Sequence, residues 1–183
     1  MRPTLLALEK NILKYRALQM LLLLHQVESL RVFVISSIRA TDTLGFAASK
    51  TVNRLPNNTK RPMEKALAIL VQDGVVTQNE SEDIQAIIDI RNRIGHRIHE
   101  LIQDVSAPGM LGLRDPVYDY FALERFERYR EKISSGMSKS FVLQLDLLEL
   151  SFEQAEATYK EELVRLRRRI DRQFEVRRRG ASH

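Results

Sequence analysis

"MLLLLHQVESLRVFVISSI", residues 20–38, is the stretch of sequence that decides the fold. Its apolar side chains recur at spacings of three and four, which is the period of an amphipathic or buried α-helix. His25, Gln26, Glu28 and Arg31 interrupt the apolar run well before the about 20 residues that a bilayer span needs. We therefore predict that this stretch is a helix in the core of a helical protein and that it does not cross a membrane.

The same period recurs through nearly every long segment, while sustained alternation with a period of two is absent. The fold class predicted is all-α, a bundle of about four to six helices with a long basic C-terminal helix. The predicted helices run over about Thr4–Ala40, Arg61–Gln72, Gln78–Asp104, Tyr118–Lys132 and Ser138–Arg179. One short helix and a polar turn at 56–59 are expected between the first two.

Local signals set most of the helix ends. The glycine of "QDGVV", residues 72–76, ends the second helix, and Thr77 followed by Glu80 is a capping box that opens the third. "SSGMS", residues 134–138, is expected to break the fourth helix. Residues 1–137 are thus read as a helical bundle, and residues 138–183 as a long C-terminal helix packed on the same domain.

Two series of apolar positions predict which faces are buried. In the first helix they are Leu5, Leu8, Ile12, Leu22, Val27, Leu30, Val34 and Ile38. In the last segment they are Phe141, Leu145, Leu148, Phe152, Ala155, Tyr159, Leu163, Leu166, Ile170 and Phe174. The second series averages close to an eleven-residue repeat, which favours a nearly straight helix along the bundle over a long left-handed coiled coil.

The composition excludes several classes of protein. The chain is 44% apolar and 29% charged, with seven glycines and five prolines among 183 residues, which suits a globular helical protein. It contains no cysteine, so disulfides, thiolate nucleophiles and sulfur-ligated zinc are excluded. Because the N-terminus also lacks a small-residue cleavage site, we expect a soluble cytoplasmic protein without a secretory signal.

The net charge of +5 is concentrated at the C-terminal end. From Lys160 onward there are nine Lys or Arg against four Asp or Glu, and the rest of the chain is balanced. "RLRRRIDRQFEVRRR", residues 165–179, is denser in arginine than the helix dipole requires, although a solvated helix end is the alternative. The functional reading is a nucleic-acid contact. Its candidate residues are Arg167, Arg168, Arg177 and Arg178.

"DIRNRIGHRIHE", residues 89–100, carries the candidate chemistry. On a helical wheel, Asp89, Asn92, His96 and His99 share one polar stripe. The opposite stripe is apolar and comprises Ile84, Ile87, Ile88, Ile94, Ile98, Leu101 and Ile102.

Arg91 falls near the middle of the isoleucine stripe, where an isolated charge is too costly to bury. It must therefore meet an acid, a second protomer or a phosphate. Gly95 beside it costs about 1 kcal/mol relative to alanine within a helix, and it permits close approach of another backbone or a ligand.

Arg91, Asn92 and His96 resemble the Arg-Asn-x-x-x-His signature of the HEPN family, helical-bundle proteins many of which are metal-independent endoribonucleases. The resemblance covers the motif and the all-helical layout of about residues 4–132, and it does not extend to the basic C-terminal segment. It implies a homodimer with both motifs in one cleft, RNA as substrate, no cofactor and no metal, as in a toxin or defence effector. It also allows an antitoxin or another regulatory protein as a partner.

The resemblance implies a role for each motif residue. His96 would transfer the proton, Arg91 would stabilise charge on the phosphoryl oxygens, and Asn92 would orient His96 or the phosphate. His99 and Asp89 are auxiliary candidates. Some HEPN toxins carry a tyrosine two residues after the histidine that a partner nucleotidyltransferase modifies, and Ile98 stands there in this chain.

Two alternatives come from other classes of protein. One is a non-catalytic HEPN-like module that binds nucleic acid or protein through its arginine-rich helix. The other is a metallohydrolase in which His96 and His99 bind a metal together with Asp89 or Glu100. The second is weak, because nothing else in the chain supplies a clear further set of ligands.

Overall fold

The computed structural model describes residues 6–44, 53–96, 105, 118–144 and 147–180, with side chains for all of these except 95, 96, 147–151, 153 and 180. Over these ranges the protein is all-α, which confirms the predicted fold class. The helices are α1 (Ala7–Leu44), α2 (Pro62–Gln72), α3 (Gln78–His96), α4 (Ala122–Met137) and α5 (Leu147–Gly180).

Helix α1 is the centre of the bundle, because each of the other four helices contacts it. All the predicted core positions of α1 that lie within the described residues are buried, and Leu5 lies outside that range. The helix runs to Leu44, four residues beyond the predicted end at Ala40. Residues 45–52, where the short helix was expected, lie outside the described residues, and the turn at 56–59 is confirmed by a 3.1 Å bond from Thr59 N–H to the Pro56 carbonyl.

Among the described helices, α1 is also long and apolar enough, by length and composition, to cross a membrane. Half of its most apolar window is buried inside the protein. Core helices of soluble proteins pass the same test, so this property does not decide between the two environments.

The ends of α2 and α3 follow the predicted signals. Gly74 adopts φ 71°, in the left-handed region, just after α2 ends. At the start of α3, Thr77 N–H donates to Glu80 Oε2 at 2.8 Å, and Glu80 N–H donates to Thr77 Oγ1 at 3.3 Å. The capping box is therefore formed as predicted.

The predicted extent of the fourth helix, Tyr118–Lys132, was wrong at both ends. Helix α4 begins at Ala122, and it continues through Ser134, Ser135 and Gly136 to Met137. Gly136 remains helical because it packs against Val75, where a Cβ atom would come within 2.7 Å of Val75 Cγ1. The glycine is thus a packing residue, and it does not break the helix.

The predicted start of the last helix at Ser138 was also wrong. Residues 138–144 form a turn followed by a segment without regular secondary structure, and Phe141 N–H still donates to the Met137 carbonyl at 2.9 Å. Two buried hydroxyls of α1 then hold the segment: Thr41 Oγ1 accepts from Val142 N–H at 2.8 Å, and Ser37 Oγ accepts from Gln144 N–H at 3.0 Å. These bonds replace helical bonds, and α5 begins at Leu147.

Helix α5 packs along α1. Leu163 joins the main core, while Ile170 forms a second apolar cluster with Leu8 and Ile12 near the start of α1. The described part of the last segment therefore lies along α1. The division of the chain into parts at 137–138 remains a prediction.

Candidate functional site

The polar edge of α3 lies where the sequence predicted it, as far as its side chains are described. Asp89 and Asn92 are exposed, and Gln85 Nε2 donates to Asp89 Oδ1 at 3.0 Å. The described isoleucines of the opposite stripe, Ile84, Ile87, Ile88 and Ile94, are buried in the core of the same chain. These four isoleucines therefore pack against the protein's own helices and are not available to a second protomer.

Arg91 lies between these two environments and is partly buried. Its Nη1 donates to Asn92 Oδ1 at 2.7 Å, so the two side chains of the motif are joined directly. Its Nε is buried and has no hydrogen-bond partner among the described residues. The expected partner of Arg91 was an acid, a second protomer or a phosphate. No acid pairs with Arg91 within the described part of the chain.

A cavity of about 330 Å³ opens beside Arg91 and Asn92, between α1, α2 and α3. Arg31 of α1 and Arg61 at the start of α2 also line this cavity, so that three guanidinium groups border it. Arg31 pairs with Glu28 at 2.9 Å, and Arg61 lies 3.4 Å from Glu64.

Arg61 is the one non-glycine residue with positive φ in the described chain, at φ 52°. It is the N-cap of α2 and makes no side-chain cap bond, and Pro62 follows it at the first helical position. Left-handed backbone costs about 1–2 kcal/mol for a residue other than glycine. Such strain clusters at ligand-binding sites, and the partly positive N-terminus of α2 borders the same cavity.

The cavity can hold an anion only where its arginines are not already neutralised. Glu28, Glu64 and Asp89 line it as well, so its formal charge is balanced. Arg91 differs from Arg31 and Arg61 because its described partner is a neutral amide and not a carboxylate. A planar guanidinium with a free N–H is suited to a phosphate oxygen.

The sequence did not indicate Arg31 and Arg61 as candidates. Arg31 appeared only as an interruption of the apolar helix, and Arg61 only as the predicted first residue of the second helix. No sequence signal relates either of them to Arg91, because the three meet only when α1, α2 and α3 pack together.

His96 is the last residue of α3, one turn after Asn92. Gly95 lies within α3, whereas the side chain of His96 and residues 97–100, which include Ile98, His99 and Glu100, lie outside what the structure describes. The geometry of the complete motif, and of the metal site considered as an alternative, is therefore not tested. No group of three potential ligands for a metal occurs among the side chains that are described.

The structure describes the side chains of all four candidate arginines of α5. Arg177 donates to the buried Glu9 at 3.1 Å, and Arg167 lies 3.3 Å from Asp171. Arg168 and Arg178 are exposed.

Arg168, Arg169, Arg172 and Arg179 are exposed and make no ion pair within the described chain. Arg168, Arg172 and Arg179 follow the i, i+4, i+11 spacing and share one helix face. Arg169, Arg172 and Arg179 were not candidates from the sequence. Pairing partners such as Glu9 are distant along the chain, so the sequence does not show which arginines are paired and which are not.

Comparisons of the chain with protein-family models, curated proteins and solved structures found no match. Membership of the HEPN family therefore stays a prediction from the residues 91–96. The shared cavity of Arg31, Arg61 and Arg91 stands independently of that resemblance.

Proposed function

We propose that this chain is a metal-independent endoribonuclease of the HEPN type, acting as a homodimer in the cytoplasm as a toxin or defence effector. The observation that carries the proposal is the 2.7 Å bond between Arg91 and Asn92 at the edge of an arginine-lined cavity, one turn before His96 on the same helix. The homodimer rests on the family resemblance alone, since the described isoleucine face is buried within one chain.

The proposed reaction is an internal transesterification of RNA. The ribose 2′-oxygen attacks the adjacent phosphorus while the bond from phosphorus to the 5′-oxygen breaks. The products are a 2′,3′-cyclic phosphate and a 5′-hydroxyl. One proton leaves the 2′-hydroxyl and one reaches the 5′-oxygen, so the reaction requires no oxidant, reductant or added water.

His96 is the proposed proton-transfer residue, because an imidazole changes its charge near neutral pH. With two motifs in one cleft, the His96 of one protomer removes a proton and that of the other supplies one. Arg91 lines the cavity, and its guanidinium holds the phosphoryl oxygens, which places positive charge where negative charge develops. Asn92 fixes the Arg91 guanidinium through their hydrogen bond.

A second function is favoured by a separate observation. Arg168, Arg172 and Arg179 of α5 are exposed and make no ion pair within the described chain. Binding of nucleic acid by these arginines does not require the motif residues of α3, which suits a module that binds RNA or DNA without cutting it. Both functions predict binding to nucleic acid, and only the first predicts cleavage that depends on His96.

The deciding experiment incubates a fluorescently labelled single-stranded RNA with the purified protein in the presence of EDTA. We expect cleavage by the wild type, with cyclic phosphate ends, and a loss of about 10²- to 10⁴-fold in rate for His96→Ala. Arg91→Ala should lose activity to a similar degree. Arg128→Ala, which removes an exposed arginine of α4, is the matched control and should cut normally.

Three results would overturn the proposal. They are cleavage only on addition of a divalent metal, full activity in His96→Ala, and no cleavage by any variant under conditions where RNA binds. The last of these would leave the binding module as the better function. A monomer by light scattering that retains full activity would remove the shared cleft.

A further inference from the structure

Helix α1 is the centre of the bundle, yet one of its faces is not covered by any helix that the structure describes. Only half of its most apolar 18-residue window is buried inside the protein. Six exposed residues fall within an arc of about 60° on a helical wheel. These residues, which we call the α1 stripe, are Lys10, Lys14, Ala17, Leu21, Glu28 and Val32.

The middle of the α1 stripe is apolar. Leu21 is 40% exposed, Val32 is 42% exposed, and Ala17 is exposed one turn before Leu21. The half-buried Leu24 lies about one turn after Leu21 and extends this surface towards the core. Apolar side chains that adjoin one another on a protein surface mark an interaction site, whereas single exposed ones are ordinary. The α1 stripe is therefore a candidate contact for another macromolecule.

The two ends of the α1 stripe carry opposite charges. Lys10 and Lys14 lie towards the N-terminus and make no ion pair within the described chain, and Glu28 lies on the other side of Leu21. Glu28 accepts from Arg31 at 2.9 Å through Oε1, but its side chain remains 51% exposed and can accept a further cation. Leu21 is seven residues, or about two helical turns, from both Lys14 and Glu28.

We propose that the α1 stripe is the surface through which two copies of this chain form a homodimer. When two α1 helices pack antiparallel about a two-fold axis at Leu21, Lys14 of each protomer lies opposite Glu28 of the other, because Leu21 is midway between them. Leu21 meets its own copy, and the alkyl stem of Lys10 lies over Val32 of the other protomer. The stripe is thus complementary to itself in charge and in apolar surface, as an isologous contact requires.

The α1 stripe also adjoins the candidate site. Glu28 belongs to the stripe, and together with Arg31 it lines the cavity that Arg91 and Asn92 also line. A dimer formed through α1 therefore places the cavities of both protomers beside the same interface. The inference rests on the proposed function for the requirement of two protomers, and it names α1, and not the buried isoleucines of α3, as their contact.

A second copy of the chain fits the α1 stripe better than a lipid bilayer does. Only 13 residues separate Lys14 from Glu28, fewer than the about 20 that a bilayer span needs. Charged groups on both sides of an apolar centre instead set the register in which two helices pack.

The chain contains no cysteine, so single cysteines report contacts between protomers without background. Leu21→Cys places a thiol at the proposed axis, where the two Cα atoms come within the about 4–7 Å that a disulfide spans. We expect mild oxidation to convert most of this variant to a covalent dimer in the absence of RNA. Val164→Cys is the matched control and should remain uncrosslinked, since Val164 is 50% exposed on α5 outside the stripe. Equal crosslinking of both variants would overturn the proposal.

A mixture of Lys14→Cys and Glu28→Cys tests the antiparallel arrangement. The mixed pair should crosslink, whereas each variant alone should crosslink about tenfold less, because its two cysteines lie about 20 Å apart along the helices. An affinity tag on one variant separates the mixed product from the others on a gel. Crosslinking of each variant with itself as strongly as in the mixture would indicate a parallel or a random contact and would contradict the arrangement.

Light scattering of the full-length protein measures the dimer without crosslinking. We expect a dimer at about 100 µM that dissociates on dilution, since one helix face is smaller than the interface of an obligate dimer. Leu21→Glu should raise the dissociation constant about tenfold or more, through two like charges at the axis, whereas Val164→Glu should not. Circular dichroism verifies that both variants are folded.

A wild-type monomer at this concentration, or a dimer that Leu21→Glu leaves intact, would overturn the proposal. So would a monomer that binds anionic phospholipid vesicles and loses this binding in Leu21→Glu, because the stripe would then contact lipid. None of these measurements uses ribonuclease activity. A dimer joined through Leu21 that cuts no RNA supports the surface and contradicts the proposed reaction, whereas a monomer that cuts RNA does the reverse.

Discussion

Gly136 shows how one missing methyl group determines the packing of two elements. A Cβ atom on this residue would lie 2.7 Å from Cγ1 of the buried Val75, which is closer than van der Waals contact allows. Since Gly136 lies inside α4, alanine there gains about 1 kcal/mol of helix propensity. Overpacking costs about 1–3 kcal/mol.

We therefore predict that Gly136→Ala lowers the free energy of unfolding by about 1 kcal/mol, and that the sign reverses in a Val75→Ala background. Truncating Val75 removes the clash and leaves only the helix propensity. Urea denaturation of the four proteins in this cycle measures both effects. Equal destabilisation by Gly136→Ala in both backgrounds would show that Val75 is not the cause.

Glu9 is a second residue whose role depends on a distant partner. Its side chain is only 8% exposed, and Arg177 donates to it at 3.1 and 3.3 Å across 168 residues of sequence. Removing the arginine would leave a carboxylate that is nearly buried and has no ion pair to offset its burial.

We predict that Arg177→Gln destabilises the protein by about 2 kcal/mol, less than a fully buried pair because Arg177 is partly exposed. Adding Glu9→Gln should restore part of this stability, since no unpaired charge then remains. Arg172→Gln is the matched control and should change stability by less than about 0.5 kcal/mol. Thermal and urea unfolding would measure all four variants, and additive effects of Glu9→Gln and Arg177→Gln would contradict the pairing.

At the scale of elements, α3 and α4 are joined by charged hydrogen bonds. Asp83 accepts from Arg125 Nε at 2.9 Å and from the Tyr129 hydroxyl at 2.7 Å, and Lys132 donates to Glu80 at 2.6 Å. Burial opposes the charged form of Asp83, but the bonds from Arg125 and Tyr129 outweigh it and hold the pKa of Asp83 below its usual range. The bond from Lys132 likewise lowers the pKa of Glu80, with help from Thr77.

A carboxyl group whose pKa is lower in the folded state stabilises the protein above its ordinary pKa, and this contribution is lost as the pH falls through the folded value. We therefore expect the free energy of unfolding to decrease between about pH 5 and pH 3. Asp83→Asn should lower stability at pH 7 by about 1 kcal/mol, after allowance for solvent screening at this partly exposed pair, and should flatten the decrease.

Guanidinium unfolding at fixed ionic strength across this pH range measures the effect. Glu124→Gln, which removes an exposed carboxylate 3.9 Å from Arg128, is the control and should leave the slope unchanged. A profile for Asp83→Asn that is parallel to the wild type would show that the bonds of Arg125 and Tyr129 do not depend on the charge of Asp83.

At the scale of the whole molecule, the packing of α5 on α1 determines which arginines of α5 form ion pairs with other helices and which face the solvent. Arg177 turns inward to Glu9, while Arg168 and Arg172 remain exposed without an ion pair in the described chain. Arg165 and Arg167 are exposed too, but they lie beside acids of their own helix.

We predict that Arg168→Gln with Arg172→Gln weakens RNA binding more than Arg165→Gln with Arg167→Gln, although both pairs remove two charges. Each phosphate that an arginine no longer neutralises should reduce the slope of log K against log salt by about 0.7 for single-stranded RNA. Fluorescence anisotropy at several salt concentrations gives both quantities. Identical slopes for the two double variants would assign the binding to net charge, and unchanged binding in both would assign these arginines to solubility or to a protein partner.

The sequence alone determined the helical class, the buried face of α1, the end of α2 and the start of α3. Apolar spacing predicted the buried positions of α1, and Thr77 with Glu80 predicted the start of α3, because these signals act within one or two helical turns. The candidate motif was also visible, since Arg91, Asn92 and His96 are neighbours in sequence.

Only the tertiary structure decided what depends on distant partners. Gly136 is a glycine because Val75 packs on it, and residues 142–144 lie outside a helix, where hydroxyls of α1 bind their backbone. In the same way, Arg31 and Arg61 border the cavity of Arg91 only after three helices pack. Each of these contacts joins groups that are far apart in the chain. Local backbone preferences act within a few residues, so they do not predict contacts that form only when the helices pack.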